Sequence, residues 1–403
     1  MKGLVVVGAS LAGLRAVEAA RRYGFAGPIT LVGAERHLPY DRPPLSKACL
    51  DLDGPPDTTF RTEQLLRSEL GVELALGEAA TGLDTVGRKV LVGGREIGYD
   101  ALVIATGATA RTLPGTDGLP GVHTLRTLDD ATAVRAALDR GARTVVVGSG
   151  FIGSEVASAA RKRGLPVTVI EAAVPLQRSL GDDMGRLVAD LHHRAGTDLR
   201  CGSGVQEIVH DGHELRVRLT NGDEVACDTV VVGIGSAPAT SWLAGSGVPI
   251  GDGVLCDERL WTGVPGVYAA GDVACWHNPL FGEHMRLEHW TSAAEQGATA
   301  ARNALAGEPA AYSTVPYFWS DWYDIRIQFV GVPRAGEIRI VSGDPAEGRF
   351  VALYRDGDRL VGALALNHPT HIMKYRVMIG RGASWSEALE FARARNDQAA
   401  AAP

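Results

Sequence analysis

The sequence lacks closely spaced cysteines. Its five cysteines are scattered along 403 residues, and no two of them form a C-x-x-C or C-x-x-x-x-C pair. This spacing excludes a disulfide framework and a zinc site built on cysteine pairs. It also argues against an enzyme that passes electrons through a dithiol, because thiol exchange needs two neighbouring thiols. The cysteines are Cys49, Cys201, Cys227, Cys256 and Cys275.

The sequence also lacks an excess of positive charge and a long apolar run. Its formal net charge of −7 argues against a general nucleic-acid-binding protein, which usually presents a basic surface. No apolar stretch approaches the roughly 18 residues that a membrane-spanning helix needs. The start, MKGLVVVGASLAGL, superficially resembles a signal peptide, but charged residues from Arg15 onward follow it at once. With 45% hydrophobic and 22% charged residues, the chain is expected to form two or three globular domains in the cytoplasm.

The sequence does contain a strand and glycine turn that occurs twice. VVVGASLAG spans Val5–Gly13 and VVVGSGFIG spans Val145–Gly153, each followed by a helical pattern. Such a turn lets helix N-terminal amides meet a pyrophosphate, and an acidic residue about 20 positions later accepts hydrogen bonds from a ribose. Glu35 and Glu171 occupy these acidic positions. The pattern predicts two dinucleotide sites, with ordinary βαβ crossovers that bind no ligand as the alternative.

The two copies differ at the middle glycine of the turn. The second copy has Gly150, whereas the first has Ser10. A serine adds a small side chain beside the phosphate. We expect it to be tolerated there and to donate a further hydrogen bond to the phosphate.

The remaining patterns predict a mixed α/β chain with a different C-terminal part. Ala101–Ile104 and Thr229–Val232 read as buried strands that end at glycine turns, and Asn221-Gly222 reads as a hairpin turn. Gly266–Trp276 reads as a strand that opens onto a helix. From about Tyr312 onward, short strands and then two helices predict a separate antiparallel α+β domain.

Seven strings lie along nearly the whole chain: VVVGASLAGL, RPPLSK, ATG, GSGFIGSE, YAAGD, EHW and FWSD. Together they resemble the FAD-dependent, NADH-linked ferredoxin reductases of bacterial oxygenase systems, the putidaredoxin reductase-like family. The resemblance implies a glutathione-reductase-like α/β fold with two Rossmann-like βαβ nucleotide-binding domains and a C-terminal α+β domain. The FAD-binding domain would comprise residues 1–108 and 228–311, the NAD-binding domain residues 109–227, and the C-terminal domain residues 312–403.

The resemblance implies an FAD site around the first turn. Gly8, Ser10 and Gly13 would lie along the pyrophosphate of a non-covalent FAD, and Glu35 would hold its adenosine ribose. The turn that contains Asp272 would hold the ribityl chain or the phosphate region, although an isolated aspartate there would be only a helix N-cap. The other residues implied in this site are Arg42, Ala105, Thr106, Gly107, Gly271 and Trp290.

Lys47 and two tryptophans are implied beside the flavin ring. A cation there favours negative charge on the reduced flavin and fixes the face that binds the nicotinamide. From its residue type alone, Lys47 is an exposed lysine after a proline-rich turn. Trp290 and Trp319 would flank the flavin edge, although an aromatic residue in a strand is otherwise usually part of the core.

The resemblance implies that the second turn binds NADH. Gly148, Gly150 and Gly153 would cradle its pyrophosphate, and Glu171 would hold its ribose. A carboxylate at this position repels a 2′-phosphate, so NADH is expected to be preferred over NADPH. Glu155 is implied near the nicotinamide, with an exposed acid stabilised by the helix dipole as the alternative. The remaining residues implied in this site are Phe151, Ile152 and Gly235.

The function implied is hydride transfer from NADH to FAD, followed by single-electron transfer to a small, acidic iron–sulfur ferredoxin. That ferredoxin would serve a haem monooxygenase or an aromatic-ring dioxygenase. Lys47, Glu155, Trp290 and Trp319 are the implied catalytic residues, and no metal site is expected. Two alternatives stay open: a disulfide reductase or NADH oxidase that uses Cys49 as its single redox thiol, and a redox sensor that binds FAD and NADH.

Overall fold

A computed structural model of the protein describes residues 3–305 and 307–400. Its helices are α1 (Leu11–Arg22), α2 (Leu128–Asp139), α3 (Phe151–Lys162), α4 (Gln177–Leu180), α5 (Asp182–Arg194), α6 (Trp290–Leu305), α7 (Pro369–Gly380) and α8 (Trp385–Ala400). Its strands are β1 (Leu4–Val7), β2 (Ile29–Gly33), β3 (Val72–Leu76), β4 (Ala80–Asp84), β5 (Lys89–Val92), β6 (Arg95–Gly98), β7 (Ala101–Ile104), β8 (Ala108–Ala110), β9 (Val122–His123), β10 (Thr144–Val147), β11 (Val167–Glu171), β12 (Asp198–Cys201), β13 (Val205–His210), β14 (Leu215–Leu219), β15 (Glu224–Cys227), β16 (Thr229–Val232), β17 (Ser236–Pro238), β18 (Ile250–Gly251), β19 (Gly253–Cys256), β20 (Val267–Ala269), β21 (Ala274–Asn278), β22 (Glu283–Arg286), β23 (Tyr317–Trp322), β24 (Ile325–Gly331), β25 (Glu337–Asp344), β26 (Arg349–Asp356) and β27 (Arg359–Leu366).

Contacts between residues divide the chain into two compact units. The first unit comprises Met1–Asp41, Asp57–Thr109 and Ala237–Thr314. The second unit comprises Arg42–Pro56, Ala110–Ser236 and Val315–Pro403. Each of the two predicted glycine turns therefore lies in its own unit.

The first unit is built on a parallel sheet with the strand order β20-β7-β1-β2-β3. Strands β1, β2 and β7 are buried along their whole length, as expected for parallel strands covered on both faces. Helices α1 and α6 pack closely against each other. Their contact requires Gly297, because a Cβ there would lie 2.1 Å from the carbonyl oxygen of Ala12. The first glycine turn therefore lies between the carboxyl end of β1 and the start of α1.

The second unit contains a parallel sheet of the same kind, with the order β12-β11-β10-β16-β9. Beside it, β13, β14 and β15 form an antiparallel sheet. The predicted hairpin turn joins β14 to β15, and Gly222 has the positive φ of 91° that this turn needs. Both features agree with the sequence patterns.

The C-terminal part of the second unit is an antiparallel sheet with the order β23-β24-β27-β26-β25, followed by α7 and α8. Its core is a group of fully buried aromatic side chains that includes Trp322, Phe329, Phe350 and Tyr354. The predicted fold class, two Rossmann-like α/β regions with a C-terminal α+β region, is therefore confirmed.

One sequence expectation was wrong. After β20 the chain forms only a single 3-10 turn, Gly271–Val273, and continues as strand β21 rather than as a helix. Strand β21 pairs with β19 and β22, and the fully buried Trp276 packs against the ring of Tyr312 at 5.6 Å. Tertiary pairing therefore decides the conformation of this short segment.

The described residues include no helix with both the length and the hydropathy to cross a membrane.

Candidate active site

The first glycine turn has a backbone geometry that only glycine can adopt. Gly8 has a φ of 122°, and a Cβ there would lie 2.0 Å from the carbonyl oxygen of Ala105. A Cβ at Gly13 would lie 1.8 Å from the carbonyl oxygen of Gly8. The Gly8 amide donates to the Val32 carbonyl at 2.8 Å, and the Ala105 amide donates to the Val7 carbonyl at 2.7 Å. The turn is therefore fixed tightly between β1, β2 and β7.

The second turn repeats this geometry. Gly148 has a φ of 99°, and a Cβ there would lie 2.4 Å from the carbonyl oxygen of Gly233. A Cβ at Gly153 would lie 2.1 Å from the carbonyl oxygen of Gly148. The hydrogen bonds also match, since the Gly148 amide donates to Ile170 at 2.8 Å and the Gly233 amide to Val147 at 2.7 Å.

The middle position of each turn follows a different rule. Gly150 has a φ of −70°, which any residue can adopt, and the nearest atom to an added Cβ is 3.9 Å away. Ser10 occupies the same position in the first copy with an extended φ of −116°. The protein itself thus leaves room for a side chain at this position. This agrees with the expectation that Ser10 is tolerated.

The two predicted ribose-binding acids are held by different partners. Glu171, at the end of β11, accepts hydrogen bonds from the Ser149 amide at 2.8 Å, the Ser149 hydroxyl at 2.9 Å and the Ala173 amide at 3.0 Å. Glu35 accepts a hydrogen bond from the hydroxyl of the buried Tyr40 at 2.5 Å. Glu171 ends the strand next to its glycine turn and Glu35 follows the corresponding strand, which is where a ribose-binding acid is expected.

Apart from Arg42, which lies in the second unit, the other residues predicted around the first turn lie in the first unit. Thr106 donates through its hydroxyl to the Ala239 carbonyl at 2.8 Å, and Gly107 has a φ of 68°. The Gly271 amide donates to the Gln296 side chain at 2.8 Å. Asp272 follows it in the same turn and is half-buried. These residues lie after β7 and β20, two strands of the parallel sheet that contains β1.

The start of α6 adds two polar groups to the first unit. Trp290 donates through Nε1 to the Asp41 carboxylate at 2.8 Å. The Thr291 hydroxyl is buried and has no hydrogen-bond partner among the described residues. An unsatisfied buried hydroxyl in the unit that carries the first glycine turn fits a polar ligand such as FAD.

The second unit pairs a half-buried lysine with a buried glutamate. Lys47 Nζ lies 2.7 Å from Glu155 Oε1, and Glu155 is only 3% exposed. The hydroxyls of Ser46 and Ser320 also donate to the Glu155 carboxylate. Ser320 in turn accepts from Trp322 Nε1 at 2.8 Å. Glu155 is therefore not an exposed helix-start acid, and the alternative reading of this residue is wrong.

The charge of the buried Glu155 carboxylate is compensated by neighbouring groups. A buried carboxylate is stable only when a cation and hydrogen-bond donors replace the water that it loses. Two separate segments supply these groups to Glu155 on α3: the proline-rich turn with Ser46 and Lys47, and strand β23 with Ser320. The arrangement places a fixed ammonium group beside the second glycine turn, where the nicotinamide nucleotide is expected.

The remaining predicted residues that lie in the second unit have different environments. Phe151 packs on Phe318 with ring centroids 4.7 Å apart, whereas Ile152 is 41% exposed. Gly235 has a φ of 96° after β16. Arg42 donates to the Arg126 carbonyl at 2.6 Å, and the Trp319 ring stacks on Tyr317 at 5.8 Å. Ile152 therefore leaves apolar surface exposed, whereas Phe151 packs in the protein.

A buried polar network links the second turn to the C-terminal sheet. His192 is fully buried between the Ser154 hydroxyl, 3.1 Å from Nε2, and the Tyr323 hydroxyl, 2.7 Å from Nδ1. Burial lowers the pKa of His192 to about 4, so the ring is neutral at physiological pH. Ser154 precedes Glu155, and Tyr323 follows β23, so this network and Ser320 both connect α3 to the same strand.

Cys49 lies two residues after Lys47, but its environment does not suit a redox thiol. Its side chain is buried, with 2% of the residue exposed. Burial raises the pKa of the Cys49 thiol, and the nearby Arg135 offsets only part of that effect. A reactive cysteine needs a stabilised and accessible thiolate. The structure therefore disfavours the single-thiol alternative.

Sequence reasoning missed several residues of these sites. Ser46 and Ser320 lie inside the strings RPPLSK and FWSD, but nothing in a string shows that both hydroxyls donate to one glutamate. Tyr40 and Asp41 lie immediately before the same proline-rich string. The position of these two polar side chains directly before that string was the only indication in the sequence that they belong to the site.

Comparisons with known proteins find relatives that span nearly the whole chain. Residues 2–297 match the family model described as pyridine nucleotide-disulphide oxidoreductase, and residues 317–396 match the model described as reductase C-terminal. The chain is similar to the ferredoxin–NAD(+) reductase component of the anthranilate 1,2-dioxygenase system of Burkholderia cepacia, with 39% identity over 94% of each protein. It is also similar to rhodocoxin reductase of Rhodococcus erythropolis, with 36% identity over 93% of this chain and 89% of that protein.

A solved structure shows the same likeness. The crystal structure of the covalent putidaredoxin reductase–putidaredoxin complex superposes with a TM-score of 0.88 at 30% identity, over 98% of each chain. The fold is therefore shared over almost the full length of both chains.

Proposed function

The chain belongs to the family of FAD-containing, NADH-dependent ferredoxin reductases of oxygenase systems, and we propose that the Lys47–Glu155 pair marks the place where its hydride transfer occurs. The enzyme takes electrons from NADH and delivers them to a small iron–sulfur ferredoxin that serves an oxygenase. The observation that supports the proposed place is a buried carboxylate with a lysine and two serine donors at the start of the NAD-binding helix α3.

The residues of the first unit fit FAD. Gly8 and Gly13 let the backbone approach a pyrophosphate, Glu35 would hold the adenosine ribose, and the turn with Asp272 would hold the ribityl region. When bound, FAD accepts a hydride from NADH and releases the two electrons singly to an iron–sulfur centre. No thiol is needed on this route, which agrees with the absence of paired cysteines in the sequence.

The residues of the second unit hold and orient the nicotinamide nucleotide. Gly148 and Gly153 shape the turn for its pyrophosphate, and Glu171 would accept the ribose hydroxyls. Glu155 keeps the Lys47 ammonium group in one position, because a charge-assisted hydrogen bond of 2.7 Å restricts a side chain that is otherwise flexible. The pair therefore supplies a preorganised charge and needs no proton transfer of its own.

The function is tested with the purified holoprotein and a panel of small ferredoxins. We expect NADH-dependent cytochrome c reduction only when an iron–sulfur protein is added, with a coupled rate that falls as salt screens the docking charges. We also expect NADH to bleach the flavin within the turnover time. Slow bleaching with a long-lived charge-transfer complex would support a sensor instead, and equal hydrogen peroxide formation and NADH consumption without ferredoxin would support an oxidase.

We expect a preference for NADH over NADPH of at least about tenfold in kcat/KM, equivalent to about 1.4 kcal/mol. Three hydrogen bonds hold the Glu171 carboxylate, so it cannot turn away from a 2′-phosphate that it repels. Steady-state kinetics with both cofactors measures the ratio, and Glu171→Gln should narrow it. A higher kcat/KM for NADPH in the unmodified enzyme would contradict this role of Glu171.

Replacing Cys49 with serine is expected to leave ferredoxin-coupled turnover within about twofold of the unmodified enzyme, because a buried thiol with a raised pKa supplies no thiolate. The coupled assay measures this directly. If Cys49→Ser abolished turnover while the flavin content stayed unchanged, Cys49 would be a redox thiol and the alternative function would be supported.

We further propose that the enzyme works in the cytoplasm, where NADH is available to it. Cell fractionation with an antibody against the protein tests this location, and recovery from an extracytoplasmic fraction would contradict it.

A further inference from the structure

The segment that contains Lys47 has an unusual place in the chain. Residues Arg42–Pro56 pack with the second unit, although the chain on both sides of them belongs to the first unit. We call these residues the Lys47 segment. It contains two short 3-10 turns, Pro43–Ser46 and Ala48–Leu50, but no strand or α-helix. Regular backbone pairing therefore does not hold this segment in place.

Cationic side chains of the second unit hold it instead. The Arg163 side chain is 5% exposed, and it donates to the Leu50 carbonyl through Nη2 at 2.7 Å and through Nε at 3.2 Å. Arg135 donates through Nη1 to the carbonyls of Cys49 at 3.0 Å and Asp51 at 2.6 Å. Arg135 also donates through Nη2 to the Leu52 carbonyl at 3.4 Å. Four consecutive carbonyls, starting two residues after Lys47, are thus bonded to two guanidinium groups.

Helix α3 contacts the Lys47 segment near both of its ends. Glu155, in its first turns, holds Ser46 and Lys47. Arg163, its C-cap residue, holds Leu50 and is itself paired with Asp139 at 2.5 Å. Eight residues of α-helix separate the two contacts, or about 12 Å along the axis. The helix that starts at the nucleotide turn therefore also determines where the Lys47 backbone lies.

We infer that Arg163 and Arg135 are positioning residues for hydride transfer and act through Lys47. The inference rests on the proposed role of the Lys47–Glu155 pair. A lysine side chain has four rotatable bonds, so the position of its ammonium group depends on how firmly its own backbone is held. Loss of Arg163 removes the bonds to the Leu50 carbonyl, and loss of Arg135 removes those to the carbonyls of Cys49 and Asp51. In either case the segment is held less firmly, and Lys47 then spends less time at Glu155.

The test compares Arg163→Met with Arg161→Met in the FAD-loaded enzyme. Arg161 lies on the same helix and also donates to two backbone carbonyls, those of Ala195 at 3.1 Å and Leu165 at 3.0 Å, but it does not contact the Lys47 segment. Stopped-flow absorbance measures the limiting rate of flavin reduction and the Kd for NADH separately. We expect Arg163→Met to lower the limiting rate about tenfold and to leave the Kd within about twofold, because a small displacement at the reacting centre slows the reaction more than binding. Arg161→Met should leave both nearly unchanged.

A second comparison shows whether the effect passes through Lys47. In a Lys47→Met background, adding Arg163→Met should cause no further loss of rate, since the group that it positions is absent. Arg135→Met provides an independent anchor variant if Arg163→Met does not fold. Equal rates for Arg163→Met, Arg135→Met and the unmodified enzyme, or an undiminished effect of Arg163→Met in the Lys47→Met background, would overturn the inference. If Lys47→Met alone left the rate unchanged, the proposed role of the pair would fail first, so the two failures are distinguishable.

Discussion

Replacing Glu155 with leucine is expected to slow the reduction of bound flavin by NADH about 100-fold, since a misplacement of about 1 Å at a reacting centre can have an effect of that size. Glu155 is the shared acceptor of Lys47, Ser46 and Ser320. Its loss releases the ammonium group and both hydroxyls together. Stopped-flow reduction by NADH measures the rate, and chemical reduction of the flavin by dithionite checks that the cofactor itself is intact.

A double variant separates chemistry from folding. Breaking a buried ion pair on one side destabilises a protein by about 3–5 kcal/mol, whereas replacing both partners with apolar residues is often neutral. We therefore expect Lys47→Met/Glu155→Leu to regain thermal stability relative to Glu155→Leu and to stay slow in flavin reduction. If the double variant regained the rate as well, the pair would be only a structural contact.

The features that sequence predicted correctly are those that a short segment specifies by itself. A buried apolar strand, a turn with glycines at fixed spacing and an acid about 20 residues later are all local, because each depends on sterics within one βαβ unit. Gly8 and Gly148 are required for the same two reasons. Each has a positive φ, and each packs against a backbone carbonyl that follows a neighbouring strand, leaving no room for a Cβ. Even the exception, Ser10, is explained by its ordinary backbone conformation.

The features that sequence could not predict are those that depend on distant partners. Ser320 lies 165 residues after Glu155 in the chain, and no periodicity or composition relates the two. The place of the Lys47 segment depends on Arg135 and Arg163, and nothing in the sequence distinguishes these two arginines from the others in the chain. The missed strand after Gly271–Val273 has the same cause, since its pairing with β19 and β22 outweighs the local turn.

Replacing Gly13 with alanine is expected to weaken FAD binding at least about 100-fold, roughly 2.7 kcal/mol at 25 °C, so that the protein purifies with little flavin. The new Cβ would lie 1.8 Å from the carbonyl oxygen of Gly8. This acceptor is backbone and cannot rotate away, so either α1 or the turn from Gly8 to Ser10 has to shift. The amides of that turn are the groups that face a pyrophosphate at a helix N-terminus. Flavin absorbance per protein and titration with added FAD measure the effect.

The middle position of the turns supplies the matched control for this prediction. Ser10→Gly and Gly150→Ser each exchange the residue of one copy for that of the other, at a position where the backbone φ is ordinary and the protein leaves space for a Cβ. We expect Ser10→Gly to retain FAD with an affinity within about tenfold, because the variant loses only one hydroxyl hydrogen bond of about 0.5–1.5 kcal/mol. Gly150→Ser, in turn, should leave the Kd for NADH within about tenfold, because the position has room for a Cβ, and should retain the flavin, since the second turn lies in the other unit. Full flavin content and unchanged FAD affinity in Gly13→Ala would show that the first turn does not form the pyrophosphate site. Loss of flavin in Gly150→Ser would show instead that the two turns have been assigned to the wrong nucleotides.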